Sequence, residues 1–231
     1  AMPTAYLTAL QGLRDHGALA RGGRVLVVGA SGGCGTAAVQ LAAALGAAEV
    51  VGVCSGKNAE LVRAQGAARV VDYTREPLSA ACAGGAEAAG FDVVFDAATN
   101  SGAGEDYKAA AIACLRKGPP GAAAGQYVAI NGGAGMWLRM FTIGQRKNEH
   151  LFLTNAVTAD LEQLAALTGG DGGAPEEGGA SRVRPVIALQ LPFTAEGVSR
   201  GFALLQSRRA VGKVVFEMEV AQRQQQQQQQ Q

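Results

Sequence analysis

The segment Arg24–Leu45 reads RVLVVGASGGCGTAAVQLAAAL and decides the predicted fold. It begins with Val25–Val28, a continuous aliphatic run that is typical of a strand buried on both faces of a sheet. A glycine-rich turn, Gly29–Gly35, follows directly, and the residues after it repeat apolar side chains on one helical face. A strand, a glycine turn and a helix in this order indicate the phosphate-binding start of a Rossmann unit.

The glycines of this turn have distinct physical uses. Gly32 lets the backbone approach a pyrophosphate, Gly35 lets helix and strand pack closely, and the helix start offers N–H groups to the anion. Ala30 replaces the first glycine of the G-x-G-x-x-G pattern, so the strict fingerprint is not met. The alternative is a tight strand-to-helix turn without a ligand, but the flanking strand and helix favour a bound cofactor.

Composition restricts the class of protein. The chain has 231 residues, of which 48% are hydrophobic and 33 are glycine, and its net charge is +1. These values fit a soluble, loop-rich α/β protein. The small charge gives no reason to expect nucleic acid or an anionic membrane surface as a partner. The sequence has no apolar run long enough to span a bilayer and no secretory signal at its start.

The cysteines and histidines show neither a zinc pattern nor a disulfide framework, because no two cysteines stand in a C-x-x-C motif. They are Cys34, Cys54, Cys82, Cys114, His16 and His150. Cys34 and Cys54 are expected at strand ends as small buried hydrophobic residues. We therefore expect no metal site and an intracellular, reducing compartment, without a distinction between cytoplasm, chloroplast and mitochondrion.

Strands alternate with helices along the chain, which predicts an α/β fold with a doubly wound parallel sheet covered on both faces. After Val25–Val28, the predicted strands are Glu49–Cys54, Arg69–Asp72, Phe91–Asp96, Gln126–Ile130 and Leu151–Thr154. The predicted helices are Thr4–His16, Asn58–Gln65, Tyr107–Leu115, Asp160–Leu167 and one that begins with Met136–Phe141. Residues 1–20 are thus expected to form a linking helix and residues 21–168 the dinucleotide-binding domain.

Two glycine- and alanine-rich stretches interrupt the pattern. Gly118–Gly125 and Gly169–Ala180 are expected to be flexible surface loops, because neither carries enough apolar surface to order itself. The last residues, 221–231, end in the glutamine run Gln224–Gln231, which predicts a disordered tail. A repeat expansion or an artefact of the gene model is favoured over a functional tail.

The end of the second strand predicts which nucleotide binds. In a Rossmann unit, an Asp or Glu about twenty residues after the last motif glycine binds the ribose 2′-hydroxyl of NAD. Here that position is Ser55, followed by Lys57, and no carboxylate appears until Glu60. A hydroxyl and an ammonium suit a 2′-phosphate, so the sequence favours NADPH over NADH and argues against S-adenosylmethionine. The alternative is that Lys57 is only a solvent-exposed residue of a turn and binds no ligand.

Several catalytic motifs are absent from the sequence. There is no G-x-x-x-x-G-K-[ST] of a P-loop NTPase, no G-x-S-x-G, and neither Tyr107 nor Tyr127 begins Y-x-x-x-K. We therefore assign no catalytic residue. The segment Met136–Phe141, MWLRMF, suggests a helix that binds a membrane surface or a partner, but a helix that covers the sheet or forms a dimer contact is the favoured interpretation.

An ordered set of segments resembles the zinc-independent quinone oxidoreductase branch of the medium-chain dehydrogenase/reductase superfamily, which includes chloroplast enone reductases, ζ-crystallin and the mitochondrial reticulon-interacting oxidoreductase. The segments are LTALQGL (Leu7–Leu13), VLVVGASGGCG (Val25–Gly35), VVGVCS with Lys57-Asn58 (Val50–Asn58), VVDYT (Val70–Thr74), FDVVFDA (Phe91–Ala97), VRPVI (Val183–Ile187) and AVGKVVFEM (Ala210–Met218). Several are generic alone, whereas the ordered set is specific.

The resemblance implies which residues hold NADPH. They are Thr8, Ser31, Gly32, Gly33, Cys34, Gly35, Ser55, Lys57, Tyr73, Phe152 and Leu153. The glycine turn would line the pyrophosphate, Ser55 and Lys57 would hold the 2′-phosphate, and Tyr73 would lie at the adenosine phosphate end. Thr8 would approach the nicotinamide, and the sixth-strand residues Phe152 and Leu153 would lie near its carboxamide. Alternatively, Tyr73 simply ends a strand and the latter pair belongs to the core.

Members of this branch begin with a GroES-like β-rich lobe of on the order of a hundred residues, which supplies one wall of the substrate cleft. The resemblance implies that this chain begins after that lobe, as a fragment or a truncated gene model. Within the C-terminal segment 181–220, the helix Ala195–Ser207 would lead into Gly212–Met218, the strand that returns to the lobe. Without the lobe, this strand would expose an unpaired edge.

The function implied by the resemblance is hydride transfer from NADPH to a small molecule, either a quinone or the β-carbon of an α,β-unsaturated carbonyl. The cofactor carries the chemistry, and the protein orients it and excludes water. A homodimer is a further expectation. The alternative is a catalytically incomplete module that binds NADPH as a sensor or scaffold, which the missing lobe and the absent acid favour.

Overall fold

The structure is a computed structural model that describes residues 2–78, 90–99, 107–118, 124–169, 183–207 and 209–218. These residues form two compact units, one from Met2 to Arg184 and one from Pro185 on. Most of the two predicted glycine-rich loops and the whole predicted glutamine tail lie outside the described residues.

Six strands form one sheet in the first unit. They are β1 (Arg24–Val28), β2 (Glu49–Cys54), β3 (Arg69–Asp72), β4 (Val93–Asp96), β5 (Gln126–Ala129) and β6 (Glu149–Leu151). Their order is β3-β2-β1-β4-β5-β6, and every neighbouring pair is parallel. This is the strand order of a doubly wound dinucleotide-binding fold. The predicted fold class is therefore confirmed.

Helices cover both faces of the sheet. They are α1 (Pro3–Gln11), α2 (Gly33–Ala44), α3 (Ala59–Ala64), α4 (Lys108–Ala113), α5 (Ala134–Phe141) and α6 (Thr158–Thr168). Along β1, Val25 and Val27 join the hydrophobic cluster that contains residues of α1, α2, α3 and α6. Leu26 and Val28 join the opposite cluster, with residues of α4 and α5. The aliphatic run is continuous because each of its faces is covered, and burial of each such side chain contributes roughly 1.5–3 kcal/mol.

The first helix is anchored by polar contacts as well as by apolar packing. The side chain of Gln11 donates a hydrogen bond to a carboxylate oxygen of Asp160 at 2.7 Å, and Arg14 forms an ion pair with the same carboxylate at 2.8 Å. The hydrogen bond from Gln11, and then Arg14, hold the pKa of Asp160 below its usual range. Gly12 begins a π-helical turn, Gly12–His16, against β4, where a Cβ atom would lie 2.6 Å from the ring of Phe95.

The predicted sixth strand is wrong in its position. The structure places β6 at Glu149–Leu151, whereas the sequence predicts Leu151–Thr154. The register explains the shift, because β5 ends at Ala129, which pairs with Leu151, so no strand is left for the following residues to pair with. The apolar run that predicted the strand therefore continues past its end, and the side chain of Leu153 is exposed.

Helix α5 presents two different faces. Met136, Trp137 and Met140 pack against the hydrophobic cluster on one face of the sheet, whereas Leu138 and Phe141 are largely exposed. The helix therefore covers the sheet, as predicted. A dimer contact through its outer face stays a prediction. Across the described parts of the chain, no helix is both long and apolar enough to pass through a membrane.

The cysteines differ in state. Cys34 and Cys54 carry free thiols, and burial raises the pKa of the Cys54 thiol. Cys114 is disulfide-bonded. The sequence prediction of no disulfide is thus wrong at this position, because spacing along the chain does not reveal which cysteines the fold brings together.

The second unit is a small parallel βαβ arrangement. It consists of β7 (Ile187–Pro192), α7 (Ala195–Gln206) and β8 (Lys213–Glu217), and the two strands pair in parallel. Thr194 caps the helix by accepting a hydrogen bond from the N–H of Gly197 at 3.1 Å. The predicted helix and final strand are confirmed within two residues at each end. Strand β7 was not predicted, and it pairs with one edge of β8.

We expect Gly35→Ala to destabilise the protein by about 1–3 kcal/mol, the usual cost of overpacking. A Cβ atom at Gly35 would lie 2.1 Å from the carbonyl oxygen of Gly29 and 2.8 Å from the Cα of Ala30, which are both backbone atoms of the turn. Urea unfolding measures the effect. The control is Gly135→Ala in α5, where a Cβ atom meets nothing within 4 Å. Equal stability of the two variants would contradict this packing argument.

Candidate nucleotide-binding site

The parallel sheet brings the ends of its strands to one edge. Val28, the last residue of β1, is in register with Val53 of β2 on one side and Asp96 of β4 on the other. In a doubly wound sheet, ligands bind outside the carboxyl ends, where the strand order reverses between β1 and β4. Most of the residues predicted to hold a cofactor follow directly after these strand ends, so the structure brings them to this edge.

The glycine turn between β1 and α2 has the predicted geometry. Gly29 has a positive φ of 76°, which a side chain would strain. The N–H groups of Gly29 and Ala30 both donate to the carbonyl oxygen of Val53, at 3.1 and 2.9 Å. Helix α2 begins at Gly33 and is flanked by Gly32 in an extended conformation. The turn thus points the positive end of the dipole of a 12-residue helix at the carboxyl edge.

Ala30, which breaks the strict glycine fingerprint, is accommodated by the neighbouring strand. Its side chain is fully buried. Opposite it, β2 carries Gly52, where a Cβ atom would lie 3.0 Å from the Cβ of Ala30 and 2.5 Å from a methyl group of Val62. The G-x-G-x-x-G pattern has a glycine where this chain has Ala30. The methyl group of Ala30 is accommodated because Gly52, in the neighbouring strand, has no side chain.

The turn after β2 carries the predicted ribose-end residues. Ser55 follows β2 directly, and Gly56–Asn58 forms a short 3₁₀ turn. The amide nitrogen of Asn58 donates to the hydroxyl oxygen of Ser31 at 3.1 Å and to that of Ser55 at 3.3 Å. Lys57 is exposed, and among the described residues no carboxylate forms an ion pair with it. The side chain of Asn58 therefore links the glycine turn to the ribose-end turn.

Asp72 is a carboxylate that sequence reasoning missed at this point. It ends β3, in register with Cys54 of β2, and accepts hydrogen bonds from the hydroxyl and the N–H of Thr74 at 2.7 and 3.0 Å. The Thr74 hydroxyl is the main cause of its lowered pKa, and the N–H of Gly56 also donates to it. A Cβ atom at Gly56 would lie 2.3 Å from this carboxylate. Asp72 thus stabilises the ribose-end turn through its hydrogen bond with the N–H of Gly56.

Tyr73, the next residue, is half exposed at the carboxyl edge. Its ring meets that of Tyr107 edge to face, with 6.3 Å between the ring centroids. The exposed fraction of Tyr73 is 44%, which leaves ring surface that a ligand can contact. Tyr73 directly follows β3, which ends at Asp72.

Thr8 comes from α1, far from the strand ends in sequence. Its hydroxyl lies 2.7 Å from that of Thr154, three residues past β6, and donates to the carbonyl oxygen of Thr4 at 2.8 Å. The backbone of Asn155 forms two further hydrogen bonds with the side chain of Gln11. These contacts bring Thr8 to the segment that follows β6, and so to the carboxyl edge.

Phe152 and Leu153, predicted to lie near a carboxamide, differ in environment. Phe152 is buried, and its ring stacks on that of His16 with 4.3 Å between centroids. Burial lowers the pKa of His16, which favours the uncharged ring in this stack. Leu153 is exposed over 56% of its surface. The Phe152 side chain therefore belongs to the core, which leaves its backbone and the Leu153 side chain at the edge.

Asp96 is a second carboxylate that the prediction did not include. It is buried at the end of β4 and accepts hydrogen bonds from the N–H groups of Ala98 and Thr99, both at 2.9 Å. The hydroxyl of Tyr127 donates to it at 2.8 Å. A Cβ atom on Gly29 would lie 3.1 Å from the Cβ of Ala98. Asp96 thus shapes the loop that faces the glycine turn across the point where the strand order reverses.

Comparison with known proteins identifies the family. The profile of the zinc-binding dehydrogenase family matches residues 65–216. The chain belongs to this family. It is 31% identical over 218 residues to 2-methylene-furan-3-one reductase of Solanum lycopersicum, covering 93% of this chain and 45% of that protein. It is 46% identical over 77 residues to the mitochondrial NAD(P)H oxidoreductase RTN4IP1 of Mus musculus, covering 32% of this chain and 19% of that protein.

A solved structure agrees with this family. The quinone oxidoreductase from Coxiella burnetii superposes with a TM-score of 0.72 at 26% identity, over 94% of this chain and 59% of that protein. The predicted resemblance to the medium-chain dehydrogenase/reductase superfamily is thereby confirmed. The chain spans about half the length of the curated relatives that it matches along most of its own sequence.

We expect Asp72→Ala to increase hydrogen exchange at the amide of Gly56 by about fivefold, since a lost hydrogen bond costs about 1 kcal/mol. The variant removes the acceptor of this N–H and leaves the sheet ladder unchanged. Arg75→Ala is the control, because its guanidinium is 86% exposed and lies 3.5 Å from the carboxylate. Unchanged exchange at Gly56 in Asp72→Ala would contradict the role of Asp72 as a support of the turn.

Proposed function

We propose that the chain is the nucleotide-binding part of an NADPH-dependent oxidoreductase that reduces a quinone or an α,β-unsaturated carbonyl. One observation carries the proposal. At the reversal of strand order, the start of α2 lies beside a turn that holds Ser55 and Lys57. Relatives named as a furanone reductase, an NAD(P)H oxidoreductase and a quinone oxidoreductase support the reaction class.

The glycine turn fits a pyrophosphate. Among the described residues, a Cβ atom at Gly32 would meet only the carbonyl oxygen of Gly29, at 3.4 Å. The N–H of Thr36 donates to the carbonyl of Gly32 at 2.8 Å, which is the first hydrogen bond within the helix, so the N–H groups of the helix residues before it have no acceptor inside the helix. We assign Ser31, Gly32, Gly33, Cys34 and Gly35 to the pyrophosphate, because a helix start of this kind binds anions.

The ribose-end turn fits a 2′-phosphate better than a 2′-hydroxyl. Ser55 offers a hydroxyl, and Lys57 offers a charge that no described carboxylate neutralises. Asp72 lies close to this turn, but its carboxylate is occupied by Thr74 and the N–H of Gly56. It therefore stabilises the turn and does not take the place of the acidic residue that binds the ribose of NAD. We assign Tyr73 to the same phosphate end.

We place the nicotinamide at the segment after β6. Thr8 reaches this segment through its contact with Thr154, and the backbone of Phe152 and the side chain of Leu153 complete the surface. NADPH supplies the hydride when it is bound, and the residues of this chain orient it and exclude water from one side. The proposal includes a reaction without zinc, as the resemblance implies, and assigns no residue as proton donor.

We expect the wild-type chain to bind NADPH at least tenfold more tightly than NADH, and Lys57→Glu to abolish this preference, because a hydrogen-bonded charge pair contributes about 1.5–3 kcal/mol. Titration of both nucleotides at one fixed ionic strength measures the ratio. Lys147→Glu is the matched control, since it makes the same charge change at an exposed position. Lys147 lies just before β6, at the amino end of that strand and away from the carboxyl edge. Equal affinities of the wild-type chain for both nucleotides would refute the NADPH assignment.

Turnover separates the enzyme from the binding module. NADPH oxidation by the chain is measured with a quinone and with a reactive enone, and the enzyme hypothesis predicts a rate that falls in Lys57→Glu at low NADPH concentration. The Lys147→Glu variant is expected to keep the rate. Turnover by this chain excludes the sensor or scaffold alternative. Nucleotide binding without turnover of either substrate contradicts the enzyme hypothesis for this chain and supports the alternative.

A further inference from the structure

The side chain of Asn58 has an unusual hydrogen-bond arrangement for its position. Asn58 precedes α3 as its N-cap residue, but its side chain makes no capping hydrogen bond to that helix. An asparagine at this position usually accepts a hydrogen bond from a backbone N–H of the first turn. Here the amide turns away from the helix and places its nitrogen 3.1 Å from the Ser31 hydroxyl and 3.3 Å from the Ser55 hydroxyl.

This arrangement restricts the direction of two hydroxyl protons. An asparagine amide nitrogen carries two N–H donors, and each serine hydroxyl has one proton and two lone pairs. When both serines accept from Asn58, their own protons must point elsewhere. Across the described ranges of the chain, neither hydroxyl donates to a protein acceptor. Two donors therefore remain unused at the carboxyl edge, on either side of the same amide.

The unused donors come from the two turns that flank the proposed phosphate position. Ser31 belongs to the glycine turn after β1, and Ser55 begins the turn after β2 that carries Lys57. Together with Lys57 they offer three donors, two hydroxyl protons and one ammonium, and each serine oxygen keeps one further lone pair. A phosphate accepts at every oxygen and can take all three donors, whereas a ribose 2′-hydroxyl has only two lone pairs with which to accept.

We infer that Asn58 strengthens the preference for NADPH beyond the contribution of Lys57, because it leaves the hydroxyl protons of Ser31 and Ser55 available to donate toward the 2′-phosphate. This inference rests on the proposed function and adds a residue to it that does not itself carry charge. Asn58 is a positioning residue, since it acts through the two serines. Asp72 supports the same turn from its other side through the N–H of Gly56.

Two variants test the role of Asn58. Asn58→Ala removes both N–H donors, and we expect the Kd for NADPH to rise about tenfold while that for NADH stays unchanged. Asn58→Asp keeps the shape but replaces the nitrogen by an acceptor oxygen, which turns both serine protons inward and adds a negative charge. For this variant we expect a larger loss, about a hundredfold, again only for NADPH. Thermal unfolding without nucleotide shows that both variants fold.

A double-mutant cycle distinguishes this role from a purely structural one. If Asn58 acts through the serines, Asn58→Ala causes no further loss of NADPH affinity in a chain that already carries Ser31→Ala and Ser55→Ala. A structural role would instead weaken both nucleotides equally and add to the effect of the serine substitutions. Asn148→Ala, before β6 at the opposite edge of the sheet, is the matched control and is expected to change neither affinity.

The outcomes separate the inference from the proposed function. A wild-type chain without preference for NADPH overturns the proposed cofactor, and the inference with it. A wild-type chain with that preference, together with an unchanged NADPH-to-NADH ratio in Asn58→Ala and Asn58→Asp, overturns the inference alone. A selective loss for NADPH that disappears in the serine double variant supports it.

Discussion

The close contact between α2 and the end of β1 is the constraint on which the rest of the first unit depends. Gly35 lies so near to Gly29 and Ala30 that no side chain fits between them. Because the helix is held there, its start points at the carboxyl edge of the sheet. The adjacent strands place Ser55 and Asp96 on either side of this point. The position of the glycine turn between these two strand ends follows from that contact.

Much of the architecture could be predicted from the sequence because local patterns dictate it. The aliphatic run Val25–Val28 is buried on both faces, and Glu49–Cys54 and Arg69–Asp72 are strands with the predicted bounds. The sixth strand was misplaced because an apolar run does not show where its neighbour ends. Strand β7 was missed because its outward-facing residues, such as Ile187, are exposed, and the segment carries no clear alternation of polar and apolar side chains.

The candidate site was harder to predict, because its supporting residues come from distant positions in the chain. The sequence indicates the glycine turn and the pair Ser55 and Lys57, since both follow strand ends at motif spacing. It does not indicate that Asp72 lies beside the same turn, because this depends on the pairing of β2 with β3. Asp96 and Asn58 were likewise missed, since their roles lie in hydrogen bonds and no motif spacing marks them.

The packing of Ala30 against Gly52 bears on how such sites are recognised in other sequences. A fingerprint that is read along one turn rejects this chain, because it counts a methyl group as an obstruction. The volume that matters is shared by two adjacent strands, and a glycine in the second strand compensates for an alanine in the first. A search for this fold should therefore score the pair of positions together.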